Sequence, residues 1–113
     1  MTDEYYGKYL FKGKNGSARE FVRKMKESGI VDEVRKEDGN ERYEYFFSDE
    51  DPETVLLIDR WRDQSALDLH HSLPLMGKIA ALRDKYDLEM IVERFDGDGA
   101  MPEKDEKYIA RRR

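Results

Sequence analysis

Between Thr54 and Arg62 a strand-length run sets Val55, Leu57 and Trp61 on one side and Leu56 and Ile58 on the other, so both faces of the strand are apolar. Burying each large apolar side chain contributes roughly 1.5–3 kcal/mol, which makes an uncovered face a poor solution for a short chain. At 113 residues the chain has the size of one domain with one core. Its own helices can cover one face of a sheet built on this strand. The other face calls for a second copy of the chain, packed sheet to sheet in an isologous homodimer.

The remaining elements follow from periodicity. Tyr5, Gly7, Tyr9 and Phe11 alternate with Tyr6, Lys8, Leu10 and Lys12, which predicts a first strand. After the turn Gly13 to Gly16, Ser17 and Glu20 have capping-box spacing, so Ser17 is the expected helix N-cap. Ala18, Phe21, Val22 and Met25 then recur at helical spacing up to Gly29, and Ile30, Val31 and Val34 continue in a second helical turn. Asp38-Gly39-Asn40 is a turn signal ahead of a strand from Arg42 to Phe47, with Tyr43, Tyr45 and Phe47 alternating.

The acidic loop Ser48 to Glu53 leads into the strand described first. Asp63 is placed to cap a helix carrying Ala66, Leu67 and His70. Pro74 interrupts that helix, and Leu75, Met76, Ile79, Leu82, Arg83 and Tyr86 mark another. A last strand is expected from Leu88 to Phe95. The order is β-α-β-β-α-β, an α+β ferredoxin-like domain over residues 1–95 whose two copies form a dimeric α+β barrel. Residues 96–113, with Gly97, Gly99 and Pro102, read as a charged, mobile tail.

Charge and composition remove several function classes. The net charge of −5, with acids and bases interleaved, provides no electrostatic footprint for nucleic acid or an anionic membrane. No apolar run approaches the roughly 20 residues that span a bilayer, the start is acidic, and there is no cysteine. A cytoplasmic location is the expectation. Two adjacent histidines without carboxylates at ligand spacing do not assemble a metal site, and Gly13-Lys14-Asn15-Gly16 matches no phosphate-binding loop.

The stretch Val55 to Asp63, followed by Ala66-Leu67-Asp68-Leu69-His70-His71-Ser72 and Pro74, resembles the antibiotic biosynthesis monooxygenase family, as does Gly39 to Tyr45. The likeness runs over about residues 5 to 95. Its most specific part is the tryptophan that ends the strand, with Ala-Leu-x-x-His after it. The resemblance implies a dimer with a pocket between helices and sheet in each subunit. It also implies oxidation of a small hydroxylated aromatic, a quinol or anthrone, by dioxygen without metal or flavin. Haem-degrading relatives carry a second tryptophan where His70 stands and an iron-ligating histidine where Ala80 stands. Neither is present, so no haem and no other cofactor is expected.

On this resemblance His70 matches the family histidine and is the candidate base, while Trp61, Tyr43 and Tyr86 are candidates for the substrate cage. Each also fits plain packing. Trp61 is the usual kind of core residue at a strand end, and the charges Asp59, Arg60, Arg62 and Asp63 around it read most simply as a solvated or paired rim. His71 lies about 100° further round the helix than His70 and cannot face the same pocket equally. Two rivals stand beside the oxygenase. An isomerase of a small phosphorylated carbonyl compound would need an arginine turned into the pocket, with Arg83 or Arg94 as candidates. A non-catalytic dimer that binds a small molecule would keep the cavity alone.

Overall fold

A computed structural model describes residues 4–96 and Lys104. Eight elements follow one another: β1 (Tyr5–Lys12), α1 (Ser17–Glu27), α2 (Ile30–Arg35), β2 (Asn40–Phe47), β3 (Thr54–Trp61), α3 (Gln64–Ser72), α4 (Pro74–Lys85) and β4 (Glu89–Asp96). The strands form one antiparallel sheet in the order β2-β3-β1-β4, with β3 and β1 central. This is the expected ferredoxin-like α+β fold. The tail expected at 96–113 lies outside the described residues, apart from the Asp96 backbone and Lys104.

Local chemistry explains the boundaries. α1 begins from Gly16, whose left-handed φ of 82° suits a residue without a Cβ, and its N–H is taken by Glu53 Oε1 at 2.8 Å. The expected Ser17 cap is thus corrected. Ser17 is already helical, and its Oγ accepts the Lys14 N–H from the preceding turn at 2.9 Å. Glu20, freed from a capping box, pairs with Arg23. Asp63, in contrast, caps α3 as its position suggests, with Oδ1 accepting the Ala66 N–H at 2.8 Å. Pro74 starts α4 at a position that has no helical N–H partner to lose.

The core lies between the helices and one face of the sheet. Ala18, Phe21, Val22 and Met25 of α1, all three apolar residues of α2, and Ala66, Leu67 and Ile79 pack on Tyr5, Phe11, Tyr43, Val55, Leu57 and Trp61. The alternation on β3 is strict: Val55, Leu57, Asp59 and Trp61 are buried, whereas Leu56, Ile58 and Arg60 face the side that carries no helix. Pairing places Leu56 beside Leu10 and Ile58 beside Lys8, and Leu10 beside Ile91 of β4. Phe47, expected to follow Tyr43 and Tyr45 inward, is half exposed at the strand end, where Arg19 lies 4.6 Å from its ring centre.

Candidate active site

A cavity of about 120 Å³ opens between the sheet and helices α3 and α4. Its floor is the helix-facing surface of the three strands β1, β2 and β3, represented by Tyr9, Phe11, Tyr43, Tyr45, Leu57 and Asp59. Phe21 of α1, His70 and His71 of α3, and Met76, Ile79 and Arg83 of α4 complete most of the wall. The lining is aromatic and aliphatic with a few polar groups, the usual make-up of a small-molecule site.

His70 is 4% exposed, and its Nδ1 lies 2.6 Å from Glu37 Oε1, a residue of the connection between α2 and β2. A carboxylate at that distance places the proton on Nδ1 and leaves the lone pair on Nε2. The imidazole is held on its other side by Trp61, whose ring stacks on it with centroids 4.6 Å apart. Glu37 Oε2 is buried without a hydrogen-bond partner. His71, expected to point elsewhere, reaches the rim of the same cavity; desolvation holds its pKa below the ordinary histidine value, with His70 and Arg94 acting in the same direction.

Asp59 corrects the reading of the charges around Trp61 as a rim. It is 3% exposed, its Oδ2 accepts the Trp61 indole N–H at 3.1 Å, and its Oδ1 has no hydrogen-bond partner. Burial pushes its pKa up to about 6, although Trp61 and the nearby Tyr9 hydroxyl pull the other way. The tyrosines beside it pair among themselves, Tyr5 with Tyr9 at 2.9 Å and Tyr43 with Tyr45 at 3.4 Å between oxygens. Burial raises the pKa of Tyr9, Tyr43 and Tyr45, so all three remain phenols at neutral pH. Gly7 makes the room: a methyl at its Cα would overlap Asp59 Oδ1 and lie 2.7 Å from the Tyr9 oxygen.

Of the four candidates from the sequence, His70 and Tyr43 line the cavity. Trp61 stands behind the lining, fully buried, in contact with both His70 and Asp59. Tyr86 is the C-cap of α4, partly buried against the core and not among the lining residues. Glu37 and Asp59 are the polar groups that the sequence reading missed. Asp59 carried a signal, because it shares the parity of Leu57 and Trp61 on β3. Among the described residues no group of three His, Asp or Glu is placed to hold a metal ion, and no helix is long and apolar enough to cross a membrane.

Comparison with known proteins agrees with this architecture. The family model described as antibiotic biosynthesis monooxygenase matches residues 9–82. No curated protein sequence matches the chain significantly. Among solved structures, SnoaB from Streptomyces nogalater, a cofactor-independent oxygenase, superposes with a TM-score of 0.73 at 17% identity, covering 89% of this chain and 99% of its own. A candidate antibiotic biosynthesis monooxygenase from Deinococcus radiodurans gives 0.75 at 15% identity, with 87% and 96% covered. A conserved protein from Methanosarcina mazei gives 0.72 at 22% identity, with 83% and 92% covered. At these identities the likeness is one of fold.

Proposed function

This chain belongs to the antibiotic biosynthesis monooxygenase family, and from that premise we propose that it is a cofactor-independent monooxygenase of a small hydroxylated aromatic, with His70 as the base. The observation that carries the reading is the buried Glu37–His70 pair in the wall of an aromatic-lined cavity. With Nδ1 engaged by Glu37, His70 offers Nε2 to a phenolic O–H. Glu37 then stabilises the imidazolium that forms, the role of the acid in a carboxylate–histidine pair.

Proton removal makes the ring an electron donor. The phenolate passes an electron to dioxygen, the two radicals combine in a C–O bond, and the peroxide takes its proton back from the imidazolium. Loss of water from the hydroperoxide, with the hydrogen of that ring carbon leaving alongside the distal oxygen, gives a carbonyl. A phenol and dioxygen thus become a quinone and water. Phe11, Phe21, Leu57 and Ile79 keep water from the anion during these steps.

The same reading includes assembly as a homodimer through the helix-free face of the sheet, where Leu10, Leu56, Ile58, Ile91 and Phe95 gather. Arg83 in the cavity wall favours a second reading, an isomerase of a small phosphorylated compound held by that guanidinium. Oxygen uptake with a panel of quinols, hydroxyanthrones and simple phenols after exhaustive chelation separates the two. The expected result is turnover by the wild type, with kcat reduced about a hundredfold or more in His70→Ala and much less in His71→Ala. Equal rates in wild type and His70→Ala would remove the base. No uptake with any of these substrates, together with phosphate protecting the protein from thermal unfolding only when Arg83 is intact, would establish the isomerase reading instead.

A further inference from the structure

The lining of the cavity changes character along its depth. At the inner end Phe11, Phe21, Tyr43 and Leu57 are buried, and two carboxyl groups stand there, Asp59 in the lining and Glu37 behind His70. At the outer end His71 and Met90 are exposed and Arg83 is half-buried. Met76, Ile79 and Arg83 recur at i, i+3 and i+7 on α4, so the helix face that buries Ile79 also carries Arg83 to the cavity. Arg83 is the one arginine or lysine among the lining residues. Its Nη1 lies 3.6 Å from Met90 Sδ, and a thioether is a weak acceptor. Among the described residues no carboxylate pairs with it, whereas Arg23, Arg42, Arg60 and Arg62 each reach one. Most of its five N–H donors are left to solvent or to a ligand at the mouth.

We propose that Arg83 anchors a carboxylate of the substrate, so that the cavity takes a hydroxylated aromatic acid, its ring inward with a hydroxyl at His70 and its acidic substituent at the mouth. The inference deepens the oxygenase reading, on which the contact at His70 rests.

Charge, fork geometry and the lining all favour a carboxylate at this place. An anionic group is repelled from the end that holds Asp59 and Glu37 and drawn to Arg83, so an aromatic acid enters in one orientation. One guanidinium gives two parallel N–H bonds, the match for a single carboxylate. A phosphate dianion would keep part of its charge uncompensated, because desolvation holds the His71 pKa below the ordinary histidine value and no other arginine or lysine lines the cavity. The aromatic and aliphatic wall suits a ring better than a small phosphorylated chain. At the mouth the carboxylate also keeps part of its hydration, which limits the cost of binding it.

The test is anaerobic calorimetry with three probes that share one ring: hydroquinone, 2,5-dihydroxyphenylacetate, and the methyl ester of that acid. The wild type should bind the acid about tenfold or more tightly than either neutral probe, the scale of one charge-assisted contact. In Arg83→Gln that advantage should shrink to within about twofold, with the ester bound as before. Arg19→Gln removes an equal charge from beside Phe47, outside the cavity, and should keep the wild-type preference. It separates a local contact from the effect of making a chain of net charge −5 more negative.

No binding of the acid, equal affinity for acid and ester in the wild type, a preference that survives Arg83→Gln, or one lost equally in Arg19→Gln would overturn the inference. Arg83-dependent binding of inorganic phosphate without binding of the aromatic acid would overturn it too. Should Arg83→Gln fail to fold by circular dichroism, Arg83→Met, which keeps an apolar stem and removes the charge, takes its place. Arg83-dependent binding of the acid without oxygen uptake would sink the oxygenase reading and leave the carboxylate anchor standing. Oxygen uptake with a neutral quinol and no preference for the acid would do the reverse.

Discussion

On β3, Ile58, Asp59 and Arg60 are consecutive and face alternately away from and toward the helices, and they sample two different solvents. Toward the helices, Asp59 is buried among tyrosines, with the Trp61 indole N–H on Oδ2, the Tyr9 hydroxyl close by and, among the described residues, no cation paired with it. Away from them, charges come in laterally paired sets: Arg60 with Glu4 and Glu41, Lys8 with Glu93, Arg42 with Glu44. The helix-free face sets such pairs among aliphatic residues such as Leu10, Leu56 and Ile58. Among the described residues, the helix-covered face has no such pairing around Asp59. A domain of this size has little stability to spare for a poorly satisfied buried acid. The acid of the covered face shares a cavity with His70, whereas the charges of the open face are paired with one another.

The comparison is tested most strongly at Asp59. In the unfolded chain its pKa is the ordinary 3.8, and in the fold burial raises it to about 6. Between those values the folded protein binds the additional proton, so stability falls as pH rises through the window, by about 3 kcal/mol in all. Asp59→Asn removes this dependence while every other group titrates as before. Urea unfolding at pH 4 and pH 7.5 should show the variant gaining about 2 kcal/mol on the wild type as pH rises, the part of the window that those two values span. A gap between the two proteins that stays constant would mean that Asp59 is hydrated and that the two faces do not differ as described.

Ile58, one residue away, probes the other face. Truncating it to alanine removes about 2 kcal/mol of burial per copy, provided that a second chain covers it. The expected result is a dimer dissociation constant raised about a thousandfold, about thirtyfold for each of the two copies, read by sedimentation across a dilution series, with little change in the unfolding of the separated chain. A monodisperse folded monomer of the wild type at micromolar concentration would break the assembly outright.

How far the sequence discloses each face depends on the range of the interactions involved. The strands, the Asp63 cap and the stop at Gly29 were legible because they are set within a few residues by alternation, capping and positive φ. Tyr43 and His70 were legible through the family motif. Glu37 was not, since its contact with His70 spans 33 residues and it sits in a charged turn that looks like solvent-exposed chain. Asp59 was hidden by its neighbours: four charges around one tryptophan read as a rim, although strand parity with Leu57 and Trp61 pointed inward. The Ser17 cap failed because the positive φ of Gly16 starts the helix one residue earlier than the Ser-x-x-Glu pattern suggests.

Arg60 supplies the smallest and most discriminating effect, because it bears on whether charges on the open face are merely solvated. Its side chain is 38% exposed and paired with Glu4 and Glu41. Glu41 has its pKa raised, by desolvation first and by Glu4 second, so the two carboxylates oppose each other and Arg60 holds them together. An exposed pair of this kind contributes roughly 0–1 kcal/mol and is weakened by salt. Arg60→Gln should therefore cost less than about 1 kcal/mol in urea unfolding at low ionic strength, with most of the difference gone in about 1 M salt, where the screening length falls to about 3 Å. A salt-insensitive loss of about 3 kcal/mol or more is the signature of a charge stranded in a dry environment. It would place Arg60 beneath the second copy, in the same kind of solvent as Asp59, and erase the distinction between the two faces at this end of β3.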